Sequence, residues 1–306
     1  MLNRRTFLKK TAAGLLLFGA TGLDNEVWAA GGQYTKITIL HTNDVHSRIE
    51  PFPMDGGKYE GLGGVAKRAS LVKKIRATEP NVLFFDCGDI LQGTPYFNFY
   101  DGSLEFKLMN ELEYDAATIG NHDFDAGIEK LAEHIDSANF TMLNANYDVR
   151  NTPLNKKLEP FKVFEKSGVK VGVMGIGIEL DGLVPSTLFG ETQYQDPLKS
   201  ANETAAILKN DYQCQIVVCL SHLGYQHDSD QISDVLVAKN SKNIDLILGG
   251  HTHTFLPEPV VYQNLEGKEV IVNQVGWAGI QLGRLDYYIK KGKDKKKVEA
   301  QSIEII

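Results

Sequence analysis

At 306 residues the chain is long enough for one large domain or two ordinary ones, and 42% hydrophobic with 23% charged residues is the composition of a soluble globular protein. A net charge of −7 makes it a poor non-specific binder of nucleic acid, and no stretch beyond residue 30 is long and apolar enough to span a membrane. Its three cysteines, Cys87, Cys214 and Cys219, are an odd count without framework spacing, which argues against a disulfide scaffold.

The first thirty residues read as a targeting segment rather than part of the fold. Arg4-Arg5-Thr6-Phe7-Leu8-Lys9-Lys10 is basic, Ala12 to Ala20 is a short apolar run, and Val27-Trp28-Ala29 sets small or branched residues where a signal peptidase reads them. The pattern resembles a bacterial twin-arginine export signal cut near Ala29 or Ala30; an uncut membrane anchor is the alternative. The expectation is an exported, periplasmic protein whose working part is residues 31–306 and which keeps no membrane contact after cleavage. Cleavage would remove Arg4, Arg5, Lys9 and Lys10 against Asp24 and Glu26, leaving the remainder more acidic still.

Lys36 to Leu40 predicts the first buried strand, running into His41-Thr42-Asn43-Asp44-Val45-His46. Gly61 to Gly64 opens a helical pattern through Val65, Leu71, Val72 and Ile75 that stops at Pro80. Val82 to Phe85 is a second strand, ending in Asp86-Cys87-Gly88-Asp89. A helix from about Ser103 to Glu113 comes next, then a third strand, Ala116 to Ile119, which delivers Gly120-Asn121-His122-Asp123-Phe124-Asp125. Another helix runs from about Gly127 to Ser137. Strand, polar loop, helix, repeated, predicts parallel strands with crossover helices. Ligands in such sheets bind beyond the carboxyl ends of the strands, which is where all three polar clusters fall.

The second half opens with a short strand from Thr141 and a β-rich patch, Phe161 to Glu165 and Val169 to Ile178 around Ser167-Gly168. A helix covers Pro197 to Asn210. Ile216 to Leu220 and Ile244 to Leu248 are two further delivery strands, leading into Ser221-His222-Leu223-Gly224 and Gly249-Gly250-His251-Thr252-His253. From Pro259 onward the pattern predicts antiparallel strands and turns. All three cysteines lie in or beside apolar runs and read as small buried hydrophobes. The five-residue separation of Cys214 and Cys219 predicts opposite faces of one strand and no mutual pairing.

Five clusters thus carry the chemistry: Asp44-x-His46, Gly88-Asp89, Gly120-Asn121-His122-Asp123, Ser221-His222 and Gly250-His251-Thr252-His253. Mixed nitrogen and oxygen donors suit Zn, Mn, Fe, Ni or Co and do not suit calcium. Seven donors exceed what one tetrahedral ion needs, so two ions sharing a carboxylate is the natural count. Two such metals about 3.5–4 Å apart are a standard device for displacement at phosphorus. His41, His134 and His227 read as solvated loop histidines. Lys290 to Lys297 reads as a solvated hairpin turn, and Trp277 and Phe97-Asn98-Phe99-Tyr100 as packing residues rather than a base-stacking platform.

In this order the motifs resemble the metallophosphoesterase (calcineurin-like) superfamily, and more finely the N-terminal catalytic domain of bacterial 5′-nucleotidases. The finer likeness rests on Ile39-Leu40-His41-Thr42-Asn43-Asp44-Val45-His46, Gly88-Asp89-Ile90-Leu91-Gln92-Gly93-Thr94, Gly120 to Asp125, and Gly276-Trp277-Ala278-Gly279 before Leu282-Gly283-Arg284-Leu285. It covers roughly residues 35 to 290. The resemblance implies an α/β, four-layer α-β-β-α sandwich of two packed mixed sheets flanked by helices. It implies that Asp44, His46 and His253 bind one divalent metal ion (Zn, Mn, Co or Fe), that Asn121, His222 and His251 bind the other, and that Asp89 bridges them. It implies that His122, oriented by Asp125, is catalytic and faces the phosphate, while a hydroxide shared by the ions attacks. Asp123 varies in the family and is left out of the site.

Such 5′-nucleotidases usually carry a C-terminal domain that binds the nucleoside, and this sequence ends soon after the catalytic part would finish. Three readings remain. The first is an exported dinuclear-metal phosphohydrolase acting on nucleotides. The second is a broader phosphoesterase acting on cyclic nucleotides, nucleotide sugars or sugar phosphates, or a catalytic subunit served by a separate substrate-binding chain. The third is a non-catalytic metal-bound subunit, which the full ligand set and the His122–Asp125 pair disfavour.

Overall fold

The computed structural model describes residues 16–18, 34–290 and 296–306. The Arg4-Arg5 pair and most of the expected export signal lie outside the described residues, as does the middle of the Lys290–Lys297 stretch. The strands are β1 (Leu16–Phe18), β2 (Tyr34–Thr42), β3 (Val82–Asp86), β4 (Ala116–Thr118), β5 (Thr141–Leu143), β6 (Tyr147–Asp148), β7 (Phe161–Lys166), β8 (Val169–Gly177), β9 (Gln193–Tyr194), β10 (Ile216–His222), β11 (Leu246–Gly249), β12 (Val260–Gln263), β13 (Glu269–Asn273), β14 (Gln281–Lys290) and β15 (Lys296–Glu304). The helices are α1 (Val65–Thr78), α2 (Pro95–Tyr100), α3 (Ser103–Glu111), α4 (Ile128–Ser137), α5 (Ser186–Phe189), α6 (Pro197–Asn210) and α7 (Asp234–Asn240), with a 3-10 turn at His122–Phe124.

One sheet has seven strands in the order β1-β15-β14-β2-β3-β4-β5, and the other has six in the order β12-β13-β11-β10-β8-β7. β2, β3, β4 and β5 run parallel, as do β8, β10, β11 and β13; the remaining pairings in each sheet are antiparallel. The tail is therefore not wholly antiparallel. β13 joins the parallel set because it enters the six-stranded sheet beside β11, while its hairpin mate β12 takes the edge.

The period-two alternation of the strands builds the layers. Ile37, Ile39, Leu83 and Phe85 point inward and meet Val171, Val173, Val218, Leu220, Leu246 and Leu248 of the facing sheet. Their neighbours Leu40, Val82 and Phe84 point outward and pack with Val72, Ile75, Phe106, Met109, Leu131 and Ile135 of α1, α3 and α4. On the far side, Met174, Ile176, Val217, Cys219 and Ile247 meet Ala201, Ala205 and Leu208 of α6 and Val237 and Ala238 of α7. Both sheets are covered on both faces, which is why β3 and β10 are buried along their whole lengths. The expected helix–sheet–sheet–helix sandwich is the fold.

Local chemistry sets the element ends. α1 stops at Thr78 because Glu79 precedes Pro80 and is extended, at φ −115°, ψ 119°. α6 starts where Asp196 accepts from the Lys199 amide, with Pro197 in the first helical turn. Helices α2, α5 and α7 do not appear in the sequence pattern; each is too short for its apolar spacing to show a period. The cysteines are free and buried, as expected. However, Cys214 and Cys219 share one cluster outside the six-stranded sheet, because Cys214 precedes β10 and strand alternation does not govern it.

Candidate metal centre

Each of the five polar clusters leaves the carboxyl end of a parallel strand. Asp44 and His46 come after β2, Asp89 after β3 and Asn121 after β4; His222 closes β10, and His251 and His253 come after β11. The chain is bent hard here. Asp44, His46, Asp89, His251 and His253 all have positive φ, at 50°, 50°, 54°, 71° and 51°. Non-glycine residues rarely adopt that region, and it costs of order 1 kcal/mol each, so five such residues in one place mark a functional constraint. Close approach also demands glycine. A Cβ on Gly120 would lie 2.2 Å from Asp89 Oδ1, and one on Gly88 would lie 2.5 Å from the Gly120 nitrogen.

The turns bring two donor groups together around one shared carboxylate. Asp44, His46, Asp89 and His253 form the first, and Asp89, His222 and His251 the second; within each, the possible ligand atoms all lie within 4.8 Å of one another. Asp89 Oδ1 accepts from the His122 amide at 2.8 Å. Its other oxygen, Oδ2, faces both groups, 3.2 Å from His222 Nε2 and 3.7 Å from His46 Nε2. Asn121 Oδ1 completes the second group, 2.9 Å from His251 Nδ1.

The donor set fits divalent cations on two observations. His46 Nε2 and His253 Nε2 face each other at 2.9 Å, two imidazole lone-pair positions converging on one point. His222 Nε2 is buried and makes no aligned hydrogen bond, although it points toward Asp89. The outer nitrogens fix the rings: His46 Nδ1 donates to the Leu91 carbonyl at 3.2 Å and His222 Nδ1 to the Cys87 carbonyl at 2.7 Å, leaving Nε2 for the centre. Burial lowers the His46 pKa, and burial together with the nearby His222 charge lowers that of His251 to about 4. Burial works against charge on Asp89, but His222, His46 and His122 outweigh it and hold the carboxyl below its ordinary range.

His122 stands apart from both donor groups. Its Nδ1 meets Asp125 Oδ2 at 2.8 Å, and its ring lies edge-on to His46 with centroids 5.4 Å apart. The bond to Asp125 raises the imidazole pKa against the opposing effect of burial.

Several residues that hold the centre escaped the sequence reading. Asp123 is fully buried, and its carboxylate accepts from the amides of Asp89, Ile90, Leu91 and Gly120, tying the loops after β3 and β4 together. Asn43 donates to Asp44 Oδ2 at 2.6 Å and to the Gly276 carbonyl at 2.5 Å, and accepts from the Val275 amide. Gln274 donates to the Gly250 carbonyl and accepts from Thr252 and from the Thr254 amide, bracing the loop after β11. Asn43 and Asp123 lie within recognisable motifs; Gln274 carries no local signal.

The solvated reading of the remaining histidines is corrected. His41 is fully buried in β2 against Asn273, His134 is buried in α4 against the Asp101 carbonyl, and His227 is half-buried against the Leu223 carbonyl. The strand and helix that carry His41 and His134 turn them inward; the Asn273 side-chain amide partners His41, and a backbone carbonyl partners each of His134 and His227. Phe99 is not a packing residue either: it is 80% exposed on α2, a helix with no buried residue. Trp277 is half-buried and stacks on His253.

The family model described as calcineurin-like phosphoesterase matches residues 37–255. A snake venom 5′-nucleotidase from Gloydius brevicauda is 33% identical over 296 residues, covering 89% of this chain and 48% of the relative. A 5′-nucleotidase from Vibrio cholerae is 30% identical over 302 residues, covering 90% of this chain and 53% of the relative. Among solved structures, a 5′-nucleotidase precursor from Thermus thermophilus superposes with a TM-score of 0.77 at 31% identity, covering 88% of this chain and 54% of that one. The chain spans about half the length of the curated relatives it matches.

Proposed function

The chain belongs to the calcineurin-like phosphoesterase family, and we propose that it is a dinuclear-metal phosphohydrolase of 5′-nucleotidase type. In this reading Asp44, His46 and His253 hold one divalent ion, Asn121, His222 and His251 hold the other, and Asp89 lies between them. The observation that carries it is Asp89 Oδ2, shared by two groups of converging donors. Bound divalent cations would supply Lewis-acid charge and acidify a water near neutral pH. Zn, Mn, Co and Fe all suit such a nitrogen and oxygen set.

The chain's own contribution is at His122. With Nδ1 donating to Asp125, the protonated ring keeps a second N–H at Nε2 that can donate to a phosphoryl oxygen or to the departing ester oxygen. Asp125 fixes the ring and favours its protonated form, the form able to make that donation. Neither residue belongs to a donor group, so removing the imidazole leaves metal binding in place.

The substrate proposed is a nucleoside monophosphate, on the likeness to proteins named 5′-nucleotidase. Export is proposed on Arg4-Arg5 and the apolar run behind it. Among the described residues, no helix is long and apolar enough to cross a membrane.

The test is hydrolysis, read as release of phosphate and of product nucleotide, by metal-stripped protein resupplied with Mn, Zn, Co or Mg, on AMP, UMP, ATP, a nucleotide sugar, a cyclic nucleotide and p-nitrophenyl phosphate. Metal-dependent preference for the monophosphates is expected. Preference for the cyclic nucleotide or the nucleotide sugar would replace the substrate assignment, and no metal-dependent release from any of them would overturn the enzyme.

A further inference from the structure

The ligand imidazoles are not held alike. His222 has a side chain that is 0% exposed and His46 one that is 9% exposed, and each is oriented by a backbone carbonyl on its outer nitrogen. The His253 side chain is 40% exposed. Among the described residues no carbonyl takes its Nδ1; its contacts with His46 Nε2 at 2.9 Å and Asp44 Oδ1 at 3.5 Å are both made by Nε2. An exposed imidazole on a loop, with no hydrogen bond on its outer nitrogen, would sample other rotamers.

An indole lies against it. Trp277 stacks on His253 with ring centroids 5.6 Å apart and planes 6° from parallel. The indole is itself wedged. Phe52 meets it edge-on at 5.8 Å and 76°, and Tyr59 at 6.3 Å and 81°. The turn that carries it is bonded to the opposite ligand loop: the Ala278 amide donates to the Asp44 carbonyl at 2.7 Å, and Asn43 donates to the Gly276 carbonyl. A single turn therefore touches two members of the same donor group, one through its backbone and one through its ring.

We propose that Trp277 is a positioning residue for the Asp44–His46–His253 ion: its stack takes the place of the backbone carbonyl that orients His46 and His222, and Phe52 and Tyr59 hold the indole there. The proposal rests on His253 being a ligand, as in the function proposed above. It predicts an asymmetry that a merely structural indole would not produce. Losing the stack weakens one ion and spares the other, which is held by His222, Asn121 and His251 on the far side of Asp89. Outer-sphere partners of ligand histidines are worth about 10- to 100-fold in metal affinity, which sets the scale.

The experiment is a Co²⁺ titration of the full chain carrying Trp28→Phe, which leaves Trp277 as its only tryptophan. Indole fluorescence is read together with metal content and with affinity by chelator competition. Two bound ions, with quenching that tracks one of the two binding steps, are expected. Trp277→Ala should weaken one step about tenfold or more and leave the other within about twofold, with the metal-free melting temperature as the folding control. Trp277→Phe should restore most of the affinity, and Tyr59→Ala, which keeps the indole and removes its wedge, should fall between. Two ions bound equally well by wild type and Trp277→Ala would overturn the positioning role alone. Fewer than two ions bound by the wild type would overturn the dinuclear reading and the positioning role with it.

Discussion

The two sheets furnish the centre with different chemistry. Loops of the seven-stranded sheet carry Asp44, His46, Asp89 and Asn121 and also the His122–Asp125 pair; the six-stranded sheet carries only the imidazoles His222, His251 and His253. Every carboxylate thus comes from one side. Those acids are tied down by backbone amides: Asp44 takes the His251 amide at 2.9 and 3.0 Å, Asp89 that of His122, and Asp123 four at once. The imidazoles of the other sheet lean across the gap for support, His222 onto the Cys87 carbonyl and His251 onto Asn121. Negative charge is placed rigidly on one sheet, and imidazoles close over it from the other. Amide donors fix where these carboxylates sit; at Asp123 they do not offset burial and the nearby Asp89, which raise its pKa to about 7.

The widest break in that comparison should come from Asp89, the one acid shared by both donor groups. Asp89→Ala is expected to lose at least one of two ions, by elemental analysis, and more than 10³-fold in turnover. His253→Ala, from the imidazole sheet, should lose one ion and retain the other. Next is His122→Ala, with turnover down about 10²- to 10³-fold, the scale of a lost transition-state donor, and metal content near wild type. Equal loss of both would make His122 a ligand. Asp125→Asn should cost less, about tenfold in turnover, because the imidazole remains and loses only its orienting partner.

Asp123→Asn tests the amide clamp. It turns part of a buried acceptor into a donor facing N–H groups, and about 3 kcal/mol of stability should be lost, read as a drop in denaturation midpoint of the metal-free protein. Were the midpoint unchanged, the acid-bearing loops would not need the clamp. Chelation should give a smaller change. A metal ion held by the native state alone adds stability by mass action, so stripping it should lower the melting temperature by a few degrees at modest free-metal concentration. Smallest of all is Phe99→Ser on the exposed face of α2, expected within about 0.5 kcal/mol of wild type in stability and unchanged in turnover.

Much of the scaffold was legible because its strands are short apolar runs punctuated by Gly, Asp and His at their carboxyl ends. Val82–Asp86 and Ile216–His222 are unmistakable for that reason, and a parallel sheet then gathers the loops beyond them in one place. The misread features share one cause: their environment is supplied by distant residues. His41 looked like a loop histidine until β14 and Asn273 enclosed it. The strand period assigned Cys214 and Cys219 to opposite faces, but Cys214 lies ahead of the strand. β13 looked like half of an antiparallel hairpin and is also a parallel neighbour of β11.

Residue order was enough to set the class of fold, the five polar clusters and their places at strand ends, since those depend on local composition and on a period that repeats every two or 3.6 residues. Packing alone settled how the clusters converge. It set which oxygen of Asp89 faces both groups, which imidazoles are oriented by a carbonyl and which by an indole, and that Asp123 serves as a backbone clamp. Those are contacts between residues such as His253 and Trp277, or Asp123 and Ile90, whose separation along the chain carries no periodic trace. Hydrogen-bond direction and ring orientation act over about 3–6 Å in space, and only the packed sheets bring those atoms within that range.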